Sequence, residues 1–350
     1  MDPQQTDTRV ETLGPRNVKS PLTLTTVFGD GLGNFTRDEA RVHGRVETGT
    51  GNDNPDIQFE SAGPREHIFF DPAHTRAAIV TCGGLCPGLN TVIRSAFLEL
   101  FHNYGVKNVQ GIRFGYEGLN PASAAPPITL TAELVDDIHK EGGTILGSSR
   151  GQQPVPVMVD YLEKQNIDIL LCVGGDGTQH GSHEIAKEIR RRGLKKVVVG
   201  IPKTIDNDIC FVRQTFGYFT AIEVARNVLD CAHNEAKGAP NGIGLVKVMG
   251  RDSGFIAAGA TLASQEVNFC LIPELPFVLD GKNGLLNVLR ERILNRQHAV
   301  IVVAEGAGQN LMPDEKTECD ASGNKKHKDI GIFLREAITR HFASEGIPVN

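Results

Sequence analysis

Asp168-Ile169-Leu170-Leu171-Cys172-Val173-Gly174-Gly175-Asp176-Gly177-Thr178 is the stretch that decides the fold. Asp168–Val173 is an apolar run too short for a helix and without polar alternation, which is the pattern of a strand buried on both faces. Glycines follow at once, and a helical pattern starts near Thr178. The unit is therefore strand, tight loop, helix. The same texture recurs outward in both directions. Upstream are Ala77–Thr81, a helix from about Asn90, and Val109–Ile112. Downstream come Val197–Ile201, a long helix from about Tyr218 to Ala236, Gly244–Val248, Phe269–Ile272 and Ala299–Ala304. Alternating apolar strands and helices predict parallel sheet covered on both faces. Ligands of such sheets sit off the carboxyl ends of the strands, so the loops there should carry the chemistry. Residues 1–69 lack hydrophobic periodicity and read as an extended arm, and Gln309–Lys328 reads as a solvated insertion.

Composition narrows the class. At 350 residues the chain is long enough for two packed domains, and 40% apolar with 22% charged residues excludes a mostly disordered chain. Basic residues number 36 against 42 acidic, a formal charge of −6. No global positive field exists to draw a nucleic-acid backbone or an anionic membrane, so neither is an expected partner. Trp is absent and Tyr occurs four times, which argues against a binding surface built on aromatics. Seven cysteines, an odd number with no C-x-x-C, suggest free buried thiols in a reducing compartment. Cys82 and Cys86 enclose only Gly-Gly-Leu and lack a following His, unlike a zinc site. The polar, acidic N-terminus has no apolar core of a signal peptide, and no eighteen apolar residues run together. A soluble cytoplasmic protein is the expectation.

The loops are where the sequence is specific. Gly83–Asn90 has G-x-x-x-x-G spacing, but Leu89-Asn90 replaces the Lys-Ser/Thr of a P-loop, which rejects a Walker site. Either glycine loop alone is explained by tight-turn geometry; two in one sheet point to a phosphate-bearing ligand, held by backbone amides and a helix N-terminus. In Gly-Gly-Asp-Gly-Thr, Asp176 is placed to reach Mg²⁺ while neighbouring amides hold the phosphates. The competing reading is N-capping of the next helix, which needs one such residue rather than four. Thr204-Ile205-Asp206-Asn207-Asp208 carries more. If it stays extended, Thr204, Asp206 and Asp208 share a face, and like-charge repulsion there calls for a metal, a donor or a bound substrate. One carboxylate suits proton abstraction from an alcohol; the bland alternative is an Asx-turn with Asp208 as cap. Arg150 and Arg251 close apolar runs inside glycine loops, which favours oxyanion contact. Glu305 follows a buried strand and suits acceptance of hydroxyl donors such as a sugar's. The eleven histidines form no metal-ligand pair, and His180 and His183 lie on a polar helix face.

Taken together, Gly83–Asn90, Phe114–Gly118, Gly147–Gly151, Gly174–Thr178, Pro202–Asp208, Met249–Phe255 and Ala304–Gly308 resemble the 6-phosphofructokinases, in particular the plant-like ATP-dependent group related to the trypanosomatid enzymes. Ala62–Glu66 with Phe70-Asp71-Pro72 resembles that group's N-terminal extension. The resemblance implies an α/β fold of two doubly wound, mostly parallel-sheet domains with a cleft between them: extension 1–69, nucleotide-binding domain 70–212, sugar-phosphate domain 213–350. It implies transfer of the γ-phosphoryl of MgATP to the 1-hydroxyl of fructose 6-phosphate in glycolysis, in a cytoplasmic, allosteric homo-oligomer such as a tetramer. Residue by residue, Gly84, Tyr116, Arg150, Gly151, Gly175, Gly177 and Thr178 would contact ATP, with Asp176 at Mg²⁺. Thr204 and Asp206 would meet the sugar's 1-hydroxyl, Asp206 as proton acceptor with Asp208 beside it, and Ile205 would be a further substrate-binding residue. Met249, Gly250 and the catalytic Arg251 would hold fructose 6-phosphate and the transferring phosphoryl group, and Glu305 the sugar. Family members continue past the position of Asn350 into a Lys-Tyr-Ile-Asp-Pro-Ser-Tyr-x-Ile-Arg segment that binds the 6-phosphate, so this chain is expected to bind MgATP better than the sugar. A non-catalytic regulatory subunit is the alternative that departure raises. Pyrophosphate is the alternative donor: pyrophosphate-using relatives carry Asp at the place of Gly177 and Lys at that of Lys203, and here the glycine favours ATP.

Overall fold

The computed structural model describes residues 7–44, 57–123, 125–313 and 326–350. In the expected arm, short strands β1 (Val18–Lys19), β2 (Arg41–His43), β3 (Gln58–Glu60) and β4 (His67–Ile68) pair antiparallel as β1 with β4 and β2 with β3. Arg65 ties this segment together through Asp38 and Glu60. Then come β5 (Arg76–Thr81), α1 (Leu89–Leu98), β6 (Asn108–Ile112), β7 (Ile128–Thr129), α2 (Ala132–Val135), α3 (Val155–Lys164), β8 (Ile169–Gly174), α4 (Asp176–Arg191) and β9 (Val197–Pro202). They are followed by α5 (Tyr218–Gly238), β10 (Gly242–Val248), α6 (Phe255–Ser264), β11 (Phe269–Leu271), α7 (Leu285–Arg296), β12 (His298–Ala304) and α8 (Ile330–Ser344). Every apolar run read as a strand is one. The chain forms two compact units, Met1–Pro202 and Lys203–Asn350.

The first unit holds a five-stranded sheet in the order β7-β6-β5-β8-β9, parallel except for β7. Ala78, Val80 and Cys82 pack with Met158, Val159 and Leu162 of α3 and Ile185 and Ile189 of α4. The alternate residues Ala77 and Ile79 are fully buried as well, so β5 is covered on both sides, as its lack of alternation requires.

The second unit has a parallel sheet of order β10-β12-β11. β12 shows why a doubly covered strand must be apolar throughout. Ala299, Ile301 and Val303 face a core made with Leu289 and Ile293 of α7 and Leu334 and Ile338 of α8. Val300, Val302 and Ala304 face Ala225 and Leu229 of α5 and Ala257 and Ala260 of α6. Truncating one of its large side chains, for example Ile301→Ala, removes packing worth about 2–5 kcal/mol.

Three expectations are corrected. Helix α4 begins at Asp176, two residues before Thr178. Of the six described cysteines, Cys210 and Cys231 are exposed rather than buried, because they lie on a loop and on the outer side of α5; Cys319 lies outside the described residues, as does most of the insertion 309–328. The stretch Thr204–Asp208 is not extended, for reasons given with the site below. Among the described residues no helix is long and apolar enough to cross a membrane.

Candidate functional site

In the first unit, β5 connects through α1 to β6 on one side of it, while β8 connects through α4 to β9 on the other. The neighbouring pair β5 and β8 is thus the topological switch point, where a doubly wound sheet opens a crevice beyond its strand ends. The two glycine loops sit at the ends of these two strands. Adjacent parallel pairing places them together: the amide of Cys82 donates to Val173 O at 2.9 Å. The loop 147–151 joins them, since Gly83 N–H donates to Ser149 O at 3.0 Å and Ser148 Oγ donates to Gly83 O at 2.6 Å. Gly83 has φ +81°, a left-handed conformation costly for other residues. Arg150 is exposed, and its Nη2 lies 3.6 Å from where a Cβ on Gly84 would stand. A cation therefore covers the turn of glycine amides.

Across the β8 loop, Gly175 is the N-cap of α4 and no side chain caps it. The capping reading of Asp176 is thereby excluded: its carboxylate is exposed in the first turn, where the helix dipole favours a negative charge. Gly177 has an ordinary φ, and a Cβ there would meet nothing within 4 Å. Thr178 is buried, with its side chain against Gly174. Tyr116 is 7% exposed and its hydroxyl donates to Thr178 O at 2.7 Å. Its ring is seated over Gly181, where a Cβ would stand 2.7 Å from Cε2. Burial, with the Cys172 and Cys82 thiols beside it, pushes the Tyr116 hydroxyl far above its ordinary range. Tyr116 braces the first turn of α4 from within the core. Asn90, read only as a missing P-loop residue, is a staple: its amide donates to Glu141 O at 3.1 Å and accepts Ile145 N–H at 2.9 Å.

In the second unit, register pairs Val248 with Ala304 and so sets the loops after β10 and β12 side by side. Glu305 N–H donates to Val248 O at 3.0 Å and Gly306 N–H to Gly250 O at 2.9 Å. A Cβ on Gly306 would stand 1.8 Å from Arg251 O, so only glycine lets the loops close. Met249 is 52% exposed at the tip of β10.

Thr204–Asp208 bends because β9 loses its ladder partner after Pro202. Thr204 Oγ1 accepts Asp206 N–H at 3.1 Å and donates to Asp208 Oδ1 at 2.7 Å. This hydroxyl-centred turn replaces strand pairing, and Asn207 follows at φ +57°. The two carboxylates diverge. Asp208 turns to Thr204; Asp206 turns to the β10 loop, where Arg251 N–H points at its Oδ2 at 3.4 Å. Its Oδ1 is buried and has no hydrogen-bond partner. Burial holds the Asp206 carboxyl above the usual carboxylate range; the Arg251 amide opposes this, and the charges of Asp208, Glu305 and Asp252 add to it. A carboxylate raised toward neutrality with one oxygen held and the other unpaired has the form of a general base. Ser253 and Asn207, which the sequence reading passed over, hold this arrangement; an αL-tolerant Asn between two acids was the available signal.

These two loop clusters define an α/β protein with paired glycine loops at a switch point and a raised carboxylate beside a second set of glycine loops. The chain matches the phosphofructokinase family over residues 76–348, and it belongs to that family. It is 48% identical over 349 residues to the ATP-dependent 6-phosphofructokinase of Borreliella burgdorferi, covering 97% of this chain and 78% of that one. ATP-dependent 6-phosphofructokinase 7 of Arabidopsis thaliana is 50% identical over 84% of this chain and 60% of its own length. The Entamoeba histolytica ATP-dependent 6-phosphofructokinase is 50% identical, and this chain spans 66% of it. Among solved structures, a pyrophosphate-dependent phosphofructokinase from Marinobacter aquaeolei superposes with TM-score 0.63 at 20% identity, over 79% of this chain and 67% of that chain. The Pichia pastoris enzyme gives TM-score 0.63 at 22% identity, over 85% of this chain and 32% of that chain. At these identities the structures speak for the fold.

Proposed function

We propose that this protein transfers the γ-phosphoryl group of MgATP to the 1-hydroxyl of fructose 6-phosphate. One observation carries the reading: Asp206 has a buried oxygen without a partner and a carboxyl raised by burial. In the proposed reaction Asp206 Oδ1 takes the proton of the sugar's 1-hydroxyl as that oxygen attacks the γ-phosphorus of ATP, the bond from the γ-phosphorus to the β,γ-bridging oxygen breaks, and ADP leaves. Met249, Gly250 and Arg251 hold the sugar phosphate and the transferring group, Glu305 binds sugar hydroxyls, and Thr204 and Ile205 line the approach. The glycine amides of the β5 and β8 loops, with Arg150 and Gly151, hold the nucleotide phosphates. Asp176 would hold Mg²⁺, whose chemistry when bound is neutralisation of phosphate charge. The donor set suits that ion. No group of three His, Cys, Asp or Glu gathers among the described residues, so one exposed carboxylate completed by phosphate and water oxygens is the arrangement on offer, which is how Mg²⁺ is commonly held.

Gly177 favours ATP over pyrophosphate as donor. It is the second residue of α4, and its missing side chain serves neither backbone strain nor packing, so the open space is read as room for the α-phosphate. Lys203 assists either donor. Assembly as a homo-oligomer and a cytoplasmic setting belong to the same proposal and rest on family membership. The reading is tested by Asp206→Asn, expected to lower turnover at least about a hundredfold with MgATP affinity unchanged. Near-native turnover would remove Asp206 from the base role, and faster turnover with pyrophosphate than with ATP would reverse the donor.

A further inference from the structure

Asp206 lies in neither a helix nor a strand, so regular backbone pairing cannot fix its side chain. Something else must hold it. Its N–H is accepted by Thr204 Oγ1 at 3.1 Å, and its carbonyl accepts the hydroxyl of Ser253 at 3.0 Å. Ser253 is buried and belongs to the loop after β10, the same loop whose Arg251 amide faces the Asp206 carboxylate. The peptide of the base is thus fastened to the loop read as holding the sugar phosphate. On its other side stands Asn207 at φ +57°, a conformation Asn tolerates better than most residues. Both ends of the Asn207 amide are used: Nδ2 donates to Arg213 O at 3.3 Å, and Oδ1 accepts Thr215 N–H at 2.8 Å. Those bonds cinch residues 208–214 into a closed loop. The chain reversal at Asn207 separates Asp206 from Asp208, and leaves Asp206 Oδ1 buried and unpaired.

We propose that Ser253 and Asn207 are positioning residues that aim the Asp206 carboxylate at the substrate hydroxyl; this rests on the reading of Asp206 as the base. Ser253 fixes the peptide and Asn207 fixes the exit of the chain. Neither touches the reacting atoms. The charged groups that bear on Asp206 are Asp208, Glu305 and Asp252, opposed by a hydrogen bond from the neutral Arg251 backbone amide, and the substitutions at 207 and 253 alter none of them.

The test uses the full chain with Ser253→Ala, Ser253→Thr, Asn207→Gly and Asp206→Asn. Glycine keeps the left-handed backbone at 207 and removes only the two side-chain bonds. Ser253→Ala and Asn207→Gly should each lower kcat about tenfold or more, since small misplacements of a reacting group are costly. The KM for MgATP should stay within about twofold, and Ser253→Thr, which retains the hydroxyl, should recover most of the loss. A released carboxylate reaches water, so the Asp206 titration, followed by carbon-13 NMR of labelled aspartate without any turnover, should move down toward an ordinary carboxylate in both variants. Unchanged kcat and an unchanged Asp206 titration would overturn the proposal. So would loss of cooperative unfolding in both variants, which would mark a purely structural role. Native turnover in Asp206→Asn would instead sink the base assignment itself, whatever Ser253 does.

Discussion

Gly177→Asp separates folding from nucleotide binding, because the structure gives the two effects opposite signs. A Cβ at this position meets nothing within 4 Å and the backbone is not left-handed. The new side chain therefore costs no packing and no strain. It sits in the first turn of α4, where replacing glycine reduces unfolded-state freedom and a negative charge favours the helix dipole. Stability should hold or rise by up to about 1 kcal/mol, a Tm gain of roughly 2 °C in a chain of this size. For the nucleotide the sign reverses. A carboxylate about 4 Å from a phosphate charge costs about 1 kcal/mol in water and about 4 kcal/mol at an effective dielectric constant of about 20. At about 1.4 kcal/mol per decade, affinity for MgATP falls between about fivefold and several hundredfold. Differential scanning fluorimetry and titration calorimetry on the same preparation read both quantities. A variant that binds MgATP as tightly as the parent would refute the claim that the space beside Gly177 belongs to the α-phosphate. A variant that unfolds several degrees earlier would refute the reading of that space as empty.

The raised Asp206 carboxyl predicts an acid limb of kcat above the range of an ordinary aspartate, because the base works only when ionised; a limb at the usual aspartate value contradicts it. The same shift bears on stability. The folded carboxyl is raised, so the cost of its burial is absent at low pH and accumulates as pH rises through the folded value. Asp206→Asn should consequently unfold later than the parent at pH 7, with the difference shrinking toward pH 3, and a difference independent of pH would count against burial as the cause. Gly306→Ala should open the junction of the β10 and β12 loops, since its Cβ would stand 1.8 Å from Arg251 O. We expect a loss of about 1–3 kcal/mol in denaturant unfolding and weaker fructose 6-phosphate binding with MgATP binding retained; unchanged sugar binding would exclude that junction from the site.

Local chemistry was enough to read the parallel strands from Ala77 to Ala304, though not the two-residue antiparallel β7, since an apolar run between glycine loops has few ways to fold except as a strand covered on both faces. It also singled out the loops that carry the candidate site, because glycine, acid and arginine gather at those strand ends. The family was legible for the same reason: it is carried by short contiguous motifs. What the sequence could not show was which loops meet. The strand order that makes β5 and β8 neighbours, and so creates the switch point, comes from long-range pairing of residues about ninety apart. That the Tyr116 hydroxyl donates to Thr178 O inside the core is likewise decided by tertiary packing. The Thr204–Asp208 stretch shows the limit most clearly. Alternation predicts three polar groups on one face, but past Pro202 no strand remains to enforce extension, and the Thr204 hydroxyl offers the backbone a closer partner. The hydrogen bonds from Ser253 and within the Asn207 loop then decide that Asp206 alone turns inward. Residue type is a property of the sequence; the environment that raises one of two neighbouring carboxylates and leaves its oxygen buried without a partner exists only after loops far apart in the chain have packed together.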